Sequence, residues 1–562
     1  MILVAAVVWL GAYCGQEAAG ITMRYLAALV SGLVVLCVGL LVANPFARLC
    51  SGIVGARGWG GQWLLLCTHI APTVIVLSAA LAASSGASAA WLSIRYADVA
   101  YLLADGRQET INATVRVLSP ITVSPLQSSR CMADVRVMVV QQRSAAAVAS
   151  PSSASATLFG EQAVCNMHRD GSYRISVRIS RDERRGELQL WSSSQGLENH
   201  DIVSKASAPW NTVSHVQQRF LAVTSKLSEQ GRVLVPGLTL GVLGQDAVTA
   251  SGLANDIVDP AYARKVEDDF RRSGIMHLMV VSGGHYVLLA ALIQRVLRSL
   301  HCHRVIIALA RIAGSCALTM AVYPSDSLWR AVCMSVLSAL AVMQGRRAQA
   351  LSQLSWVVVL ILFVSPQMSR SYGFALSCAA VLGIASCAET IAAIAQDSIG
   401  KALAGQLATT LSAQMFTLPI QLLMDPEIPV LSILANLLVA PAVNIATVCG
   451  LLALGIAWLL PDIAYCFAWV SSIGSALMND SARWLSNAEI STFTWLEGWQ
   501  GAILMLLTEM LAIAVVVLLH RAYAGHRRLP GQMADAYGMR YRRSIYSSMV
   551  FWVRESREIF GL

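Results

Sequence analysis

Charge is what this sequence has least of. Of its 562 residues only 13% are Asp, Glu, Lys or Arg, against roughly 25% in an average soluble domain. With 56% hydrophobic residues and a mean hydropathy of +0.59, that shortage excludes an ordinary soluble enzyme. It also excludes disorder, which needs low hydrophobicity and high charge. The 13 cysteines form no CxxC pair and no His/Cys metal spacing, so zinc is not indicated and no metal or cofactor is expected. His301-Cys302-His303 comes closest, but no carboxylate lies nearby in the sequence, and it reads as part of a basic loop. No Gly-x4-Gly-Lys-Ser/Thr nucleotide loop is present, and no repeat of fixed period is visible. The apolar start, Met1 to Cys14, has no basic residue ahead of its core. It therefore reads as a short transmembrane helix instead of a cleaved signal peptide.

What is present is a polytopic α-helical membrane protein. At roughly 20 apolar residues per span the chain has room for about 12 transmembrane helices and a further soluble domain. Three apolar stretches fall in residues 1–100, at 1–14, 25–43 and 62–84. Nine more follow, near 277–297, 304–323, 328–344, 349–365, 373–396, 403–424, 430–460, 462–479 and 502–520. The long 430–460 stretch holds Pro441 and is read as one crossing with a broken or re-entrant start. That count places Arg298, Arg304, Arg346, Arg347, Lys401 and the tail 521–562, with eight Arg against three acids, on the cytoplasmic side, as the positive-inside rule asks. The domain boundaries expected are 1–100, 105–210, 233–460, 461–520 and 521–562. The net charge of +9 is a mild excess that such loops supply, and it does not itself imply nucleic acid.

Residues 105–232 break the apolar pattern, with 15 basic and 11 acidic residues and no long apolar run. Ile111, Ala113, Val115 and Val117 alternate with polar residues, as do Val135, Val137 and Val139, and Tyr173, Ile175, Val177 and Ile179. Period two with β-branched residues predicts half-buried strands. The Ala/Ser stretch from Arg143 to Ala156 is too poor in large apolar groups to pack and reads as a flexible loop. The region is thus a small all-β barrel or sandwich inserted on the extracytoplasmic side. Cys131 and Cys165 are its only cysteines, and two alone in such a domain predict a disulfide.

Polar residues inside apolar spans mark functional positions by default. His277, Ser282, Gly283, Gly284 and His285 enter one span. On a helix, His277, Val281 and His285 would share a side. Two histidines are too few for structural zinc, so the alternatives are a polar path or local hydrogen bonds. Arg330 follows Asp326 by one turn, and the simplest expectation is an ion pair. Ser377, Gln414, Pro419, Asn436 and Pro441 punctuate later spans. Each alone is a helix-packing hydrogen bond or kink, and together they outline an aqueous path.

These motifs occur in an order that resembles the ComEC competence-protein family. Gly241-Val-Leu-Gly244-Gln-Asp246 is similar to the segment entering the family's core. Gly274-Ile-Met-His277-Leu, then Ser282-Gly283-Gly284-His285, resembles its Gly-x-x-His-Leu and Ser-Gly-x-His pair. Trp329-Arg330-Ala331 with Met334, Gly373-Phe-Ala-Leu-Ser377, Gln414 with Thr417 and Pro419, and Ala435-Asn436-Leu437 with Pro441 follow in the same order. Gly284 and Ser352 depart from it, standing where the family commonly has Leu and Asn. The resemblance implies that the inserted domain is OB-like. It also implies that the chain is a channel component passing single-stranded DNA inward across the bacterial cytoplasmic membrane during natural transformation. Partners implied are single-stranded DNA, membrane lipid, an external DNA receptor, a cytoplasmic ATP-driven helicase-like motor and a second copy of the chain. Arg174, Arg178 and Arg181, with Arg184 and Arg185, are then candidate phosphate contacts, with a solvated strand face as the equal alternative. The family's C-terminal metallo-β-lactamase-like domain is expected to be absent, and no enzymatic role is expected. Two rivals are an intramembrane serine hydrolase using Ser282 with a histidine and a small-solute exporter, whose usual inverted repeat is not seen.

Overall fold

The alternating segments between 110 and 192 close into a barrel. The computed structural model describes residues 2–17, 79–104, 110–124, 127–142, 149–182, 187–192, 201–249, 252–253, 258–346 and 348–526. The apolar stretch 25–43, Arg184, Arg185, Arg347 and the basic tail from 527 lie outside them. Five strands carry the barrel: β1 (Thr110–Val117), β2 (Gln127–Gln142), β3 (Ser155–Gly160), β4 (Ser172–Arg181) and β5 (Leu188–Ser192). Their order is β1-β2-β3-β5-β4, and β1 pairs with β4 to close the ring. Only β3 and β5 run parallel. This five-stranded barrel is compatible with an OB-like domain.

The odd-numbered apolar residues of β1 and β4 point inward, as their alternation predicts. Ile111, Ala113, Val115, Val117, Ile175 and Val177 are all buried in one core. In β2 the phase changes. Val135 and Val137 are buried, but the register then slips at Thr114/Val115, leaving Met138 unpaired and exposed while Val140 takes the inward place. Val139 is only half-buried. A bulge of this kind bends a strand so that a small barrel can close. The loop expected over 143–156 is corrected at its end. Ser150–Pro151 pairs with β2, and Ala154 and Ala156 are buried in the core. Ser152 Oγ and Ser153 N donate to Asp98 at 2.6 and 2.8 Å. Two small side chains and a carboxylate acceptor order what composition alone reads as slack.

The barrel is tied to the helices that follow it. Arg169 donates to the Leu118 carbonyl at 2.9 Å and to the Met320 carbonyl at 3.4 Å, and its guanidinium lies 3.7 Å from the centre of the Trp210 ring. Burial pulls its pKa down to about 10, so it remains charged at neutral pH. Met320 lies in the last turn of a helix, where free carbonyls and the macrodipole favour a cation.

The remaining helices are α1 (Ile2–Glu17), α2 (79–96), α3 (Ala208–Thr224), α4 (Glu229–Leu240), α5 (Pro260–Arg272), α6 (Gly283–Ser299), α7 (Arg304–Ala321) and α8 (Asp326–Met343). Then come α9 (Ala350–Val364), α10 (Tyr372–Gly383), which passes through a π-helical turn (Ile384–Ala388) into Glu389–Ile399, and α11 (Lys401–Gln421). The last are α12 (Ser432–Ile456), α13 (Pro461–Ser486) and α14 (Gly498–His526). From Ala502 onward the chain forms a second unit, in which Leu506, Leu507 and Leu511 are exposed. Four helices among the described residues are long and apolar enough to cross a membrane, namely 304–321, 326–343, 372–396 and 432–456. Two shorter apolar helices, Ile2–Cys14 and Ala350–Val364, accompany them. These helices fit a membrane protein, and the expected count of about twelve spans is not shown among the described residues. The re-entrant start expected for 430–460 is corrected, since α12 is a continuous helix with Pro441 inside it.

Side-chain distribution in the helices is inverted relative to a soluble protein. Leu360, Ile445, Trp469, Ile473 and Leu477 are exposed, whereas Ser315, Ser412, Thr447, Ser471 and Ser475 are buried. Ser471 Oγ donates to the Ala446 carbonyl at 2.8 Å, joining α13 to α12. Helices in lipid gain nothing by hiding large apolar groups from one another, so they meet through small residues and hydrogen bonds.

In the barrel, Cys131 of β2 and Cys165 of the turn after β3 are disulfide-linked, with Cα atoms 5.3 Å apart and a sequence separation of 34. In the chain-entropy model such a loop contributes about 3–4 kcal/mol. Non-reducing peptide mapping should recover the linked pair, and Cys131→Ala should destabilise the barrel by that amount. Two free thiols in protein purified without reductant would contradict the assignment.

Candidate functional site

The segment between α5 and α6 is where the sequence places its densest motif. His277 lies in a 3-10 turn, Met276–Leu278, and is exposed, while His285 is buried in the first turn of α6. The shared helix side expected for His277, Val281 and His285 is corrected, because the chain is not helical between Met279 and Ser282. Two consecutive glycines are poor helix formers, and here they open α6 instead of sitting within it. Ser282 N donates to His285 Nδ1 at 3.1 Å, with Ser282 Oγ 3.3 Å from the same atom. His285 Nε2 lies 2.7 Å from the Leu238 carbonyl. A carbonyl only accepts, so the proton is on Nε2 and Nδ1 is the acceptor. Leu238 is in the last turn of α4, whose carbonyls lack intrahelical partners. One imidazole thus caps two helix ends.

Arg330 of α8 reaches this junction. It is 6% exposed. Its Nε donates to Ser377 Oγ of α10 at 2.7 Å and its Nη1 to Met334 Sδ at 3.3 Å. A Cβ on Gly283 would stand 2.9 Å from Arg330 Nη2, so only glycine leaves the guanidinium its place. The expected ion pair with Asp326 is corrected. Asp326 accepts from Ser371 Oγ instead, next to Gly373, whose Cβ position is 3.6 Å from Asp326 Cβ. Among the described residues no carboxylate pairs with Arg330.

A second polar group forms between α11 and α12. Ser432 Oγ donates to Gln414 Oε1 at 2.8 Å, and Asn436 Nδ2 donates to the Ser432 carbonyl at 2.8 Å. Gly274 abuts them with a φ of +78, and a Cβ there would meet Ser432 Cβ at 2.4 Å. Pro419 and Pro441 lie inside α11 and α12. They remove the usual donors to the Met415 and Leu437 carbonyls. The structure therefore sorts the motif residues into two groups: Ser282, Gly283, His285, Arg330 and Ser377 in one, Gly274, Gln414 and Asn436 in the other. His277 adjoins the second group through a hydrogen bond to the Gly274 backbone.

Residues 261–522 match the family model described as Competence protein. That segment is therefore similar to competence proteins. No curated protein and no solved structure matches the chain. All the residues named in the two polar groups of the helical core lie within the matched segment, and the barrel precedes it.

The sequence reading passed over Arg311, a second buried arginine in this segment. It donates to Gln294 Oε1 at 3.2 Å and Ser338 Oγ at 3.1 Å. It also passed over a groove of about 410 Å³ on the barrel lined by Arg130, Phe159, Glu161, Arg178 and Trp191. Phe159 and Trp191 are paired across β3 and β5 and stack at 4.6 Å. Arg178 is the partner of Trp191 on β4, and Arg130 lies 5.8 Å from the indole centre. Of the three described arginines expected to meet phosphate, Arg174 and Arg178 are exposed. Arg181 is not free for that role, since its Nη2 donates to the Tyr96 hydroxyl at 3.0 Å and its guanidinium covers that ring.

At the entry to the core, Gln245 Nε2 donates to Glu267 Oε1 at 2.6 Å. Beside them, burial and the neighbouring Glu267 push Asp246 up to about 7 from its ordinary 3.8. A raised carboxyl pKa favours the folded state while the group is protonated. That contribution is complete below about pH 4 and is lost as pH rises through about 7. Thermal melts of the wild type should give a lower Tm at pH 8 than at pH 5, and Asp246→Asn should remove most of the difference. An undiminished difference in the variant would show that Asp246 does not carry it.

Proposed function

We propose that this chain is a channel component for inward passage of single-stranded DNA across the cytoplasmic membrane in natural transformation. The match of residues 261–522 supports a role in DNA uptake for competence. The observation that carries the finer reading is the groove on the barrel. A stacked Phe159–Trp191 pair flanked by Arg178 and Arg130 suits single-stranded nucleic acid, whose bases stack on aromatic rings while arginines follow the phosphates.

In this reading the OB-like barrel faces outward and receives a strand from an external receptor. Polar groups among the helices line the path, and a cytoplasmic ATP-driven motor draws the strand through. Membrane lipid surrounds the helices, self-association completes the assembly, and the basic tail is cytoplasmic. The chain itself performs no covalent chemistry. The Ser282–His285 contact supports a helix cap better than a nucleophile and its base, because Nδ1, the nitrogen that would take the serine proton, already accepts from the Ser282 backbone N–H.

A deletion strain should fail to internalise labelled DNA, and the intact chain should restore entry. Replacing Trp191 with Ala should weaken strand binding at the barrel by about 1–3 kcal/mol. Undiminished DNA entry in the deletion strain would overturn the reading.

A further inference from the structure

The surroundings of Arg330 are electrostatically incomplete. Arg330 is 6% exposed as a residue, and its guanidinium lies against Gly283, the first residue of the 17-residue helix α6. A helix N-terminus carries roughly half a positive charge, and its first N–H groups have no intrahelical acceptor. Two positive ends thus meet in a low-dielectric setting, and among the described residues no carboxylate pairs with Arg330 to offset them. Ser377 and Met334 occupy Nε and Nη1. Nη2, the atom nearest Gly283, has no hydrogen-bond partner among the described residues. A buried, unpaired charge is strongly unfavourable. An anion placed between Nη2 and the Gly283 and Gly284 N–H groups would answer both charges at once.

We propose that Arg330, Gly283, Gly284 and Ser377 form an anion site in the helical core, and that its occupant is a phosphodiester of the translocating strand. The identity of the occupant rests on the DNA-transport reading; the anion site does not. Arginine suits the task, since its planar fork recognises phosphate oxygens in pairs. The glycines suit it as well, because a side chain at 283 would displace the fork.

The test uses the full chain purified in detergent and phosphate-free buffer, as wild type, Arg330→Gln and Gly283→Ala. Gly283→Ala retains the arginine, so it reports on the site even where Arg330→Gln fails to fold. Thermal melts are recorded with inorganic phosphate, with dihexanoyl phosphatidylglycerol, and with a thymidine oligonucleotide carrying either natural or uncharged methylphosphonate linkages. Oligonucleotide affinities are measured in parallel.

Phosphate should raise the Tm of the wild type and leave Gly283→Ala unmoved. The natural oligonucleotide should bind about tenfold or more weakly to the variants, the loss expected for a charged hydrogen bond. The methylphosphonate strand should not distinguish wild type from variant. Equal phosphate stabilisation of wild type and variants, or none in either, would overturn the anion site. Phosphate or phosphatidylglycerol stabilisation lost in the variants, with oligonucleotide affinity unchanged, would leave an anion site but overturn its assignment to DNA.

Discussion

The bond from His285 Nε2 to the Leu238 carbonyl, 2.7 Å long, joins two helix ends of the helical core. In an apolar setting every backbone group must find a partner within the protein. The end of α4 and the start of α6 both lack such partners by helix geometry. A single imidazole supplies a donor to one and, through Nδ1, an acceptor to the Ser282 N–H of the other. This fixes where α6 begins. Because α6 begins at Gly283, the space beside it is open to the Arg330 guanidinium. From there Ser377 links α8 to α10. The order of dependence runs from a histidine, to a helix start, to a glycine, to a buried charge.

The amount of this that was legible in the sequence varies by the kind of interaction. Strand alternation in 110–117 and 172–181 was readable because one residue in two faces the core. The slip at Met138 was not, since a bulge changes phase without changing composition. The paired cysteines were readable from their isolation. Arg330 was readable as important but not as placed. Its proximity to Asp326 in sequence suggested a local pair, yet its partners lie 47 residues away at Ser377 and across the bundle at Gly283. The groove residues Phe159, which is buried, and Trp191, which is half-buried, were missed because aromatics of a groove look like core to any measure of hydrophobicity. The helix expected from His277 to His285 failed for a related reason: apolar residues fill the run, and the glycine pair that starts α6 looked like an interruption within it.

Barrel and helices answer different physical demands within one unit of the chain. The barrel is closed by β1–β4 pairing and stapled by Cys131–Cys165, so it carries its arginines without exposing the edges of those two strands. The helices keep large apolar side chains outward and small polar ones inward. Arg169 bridges the two, holding a barrel carbonyl and the end of α7 at once. The groove therefore lies on a domain anchored to α7, a helix that carries the buried Arg311.

The central claim is that the inward polar residues of the segment similar to competence proteins border a water-filled path. Cysteine accessibility tests it most directly. Single cysteines at Ser282, Ser377 and Asn436, and at the outward-facing Leu360 and Ile473, are introduced into a chain whose native free cysteines are replaced by serine. A water-soluble, membrane-impermeant thiol reagent is then applied with and without single-stranded DNA. The account predicts labelling at 282, 377 and 436, protection there by DNA, and no labelling at 360 and 473. Silence at the three polar positions, or labelling that DNA leaves unchanged, would contradict it.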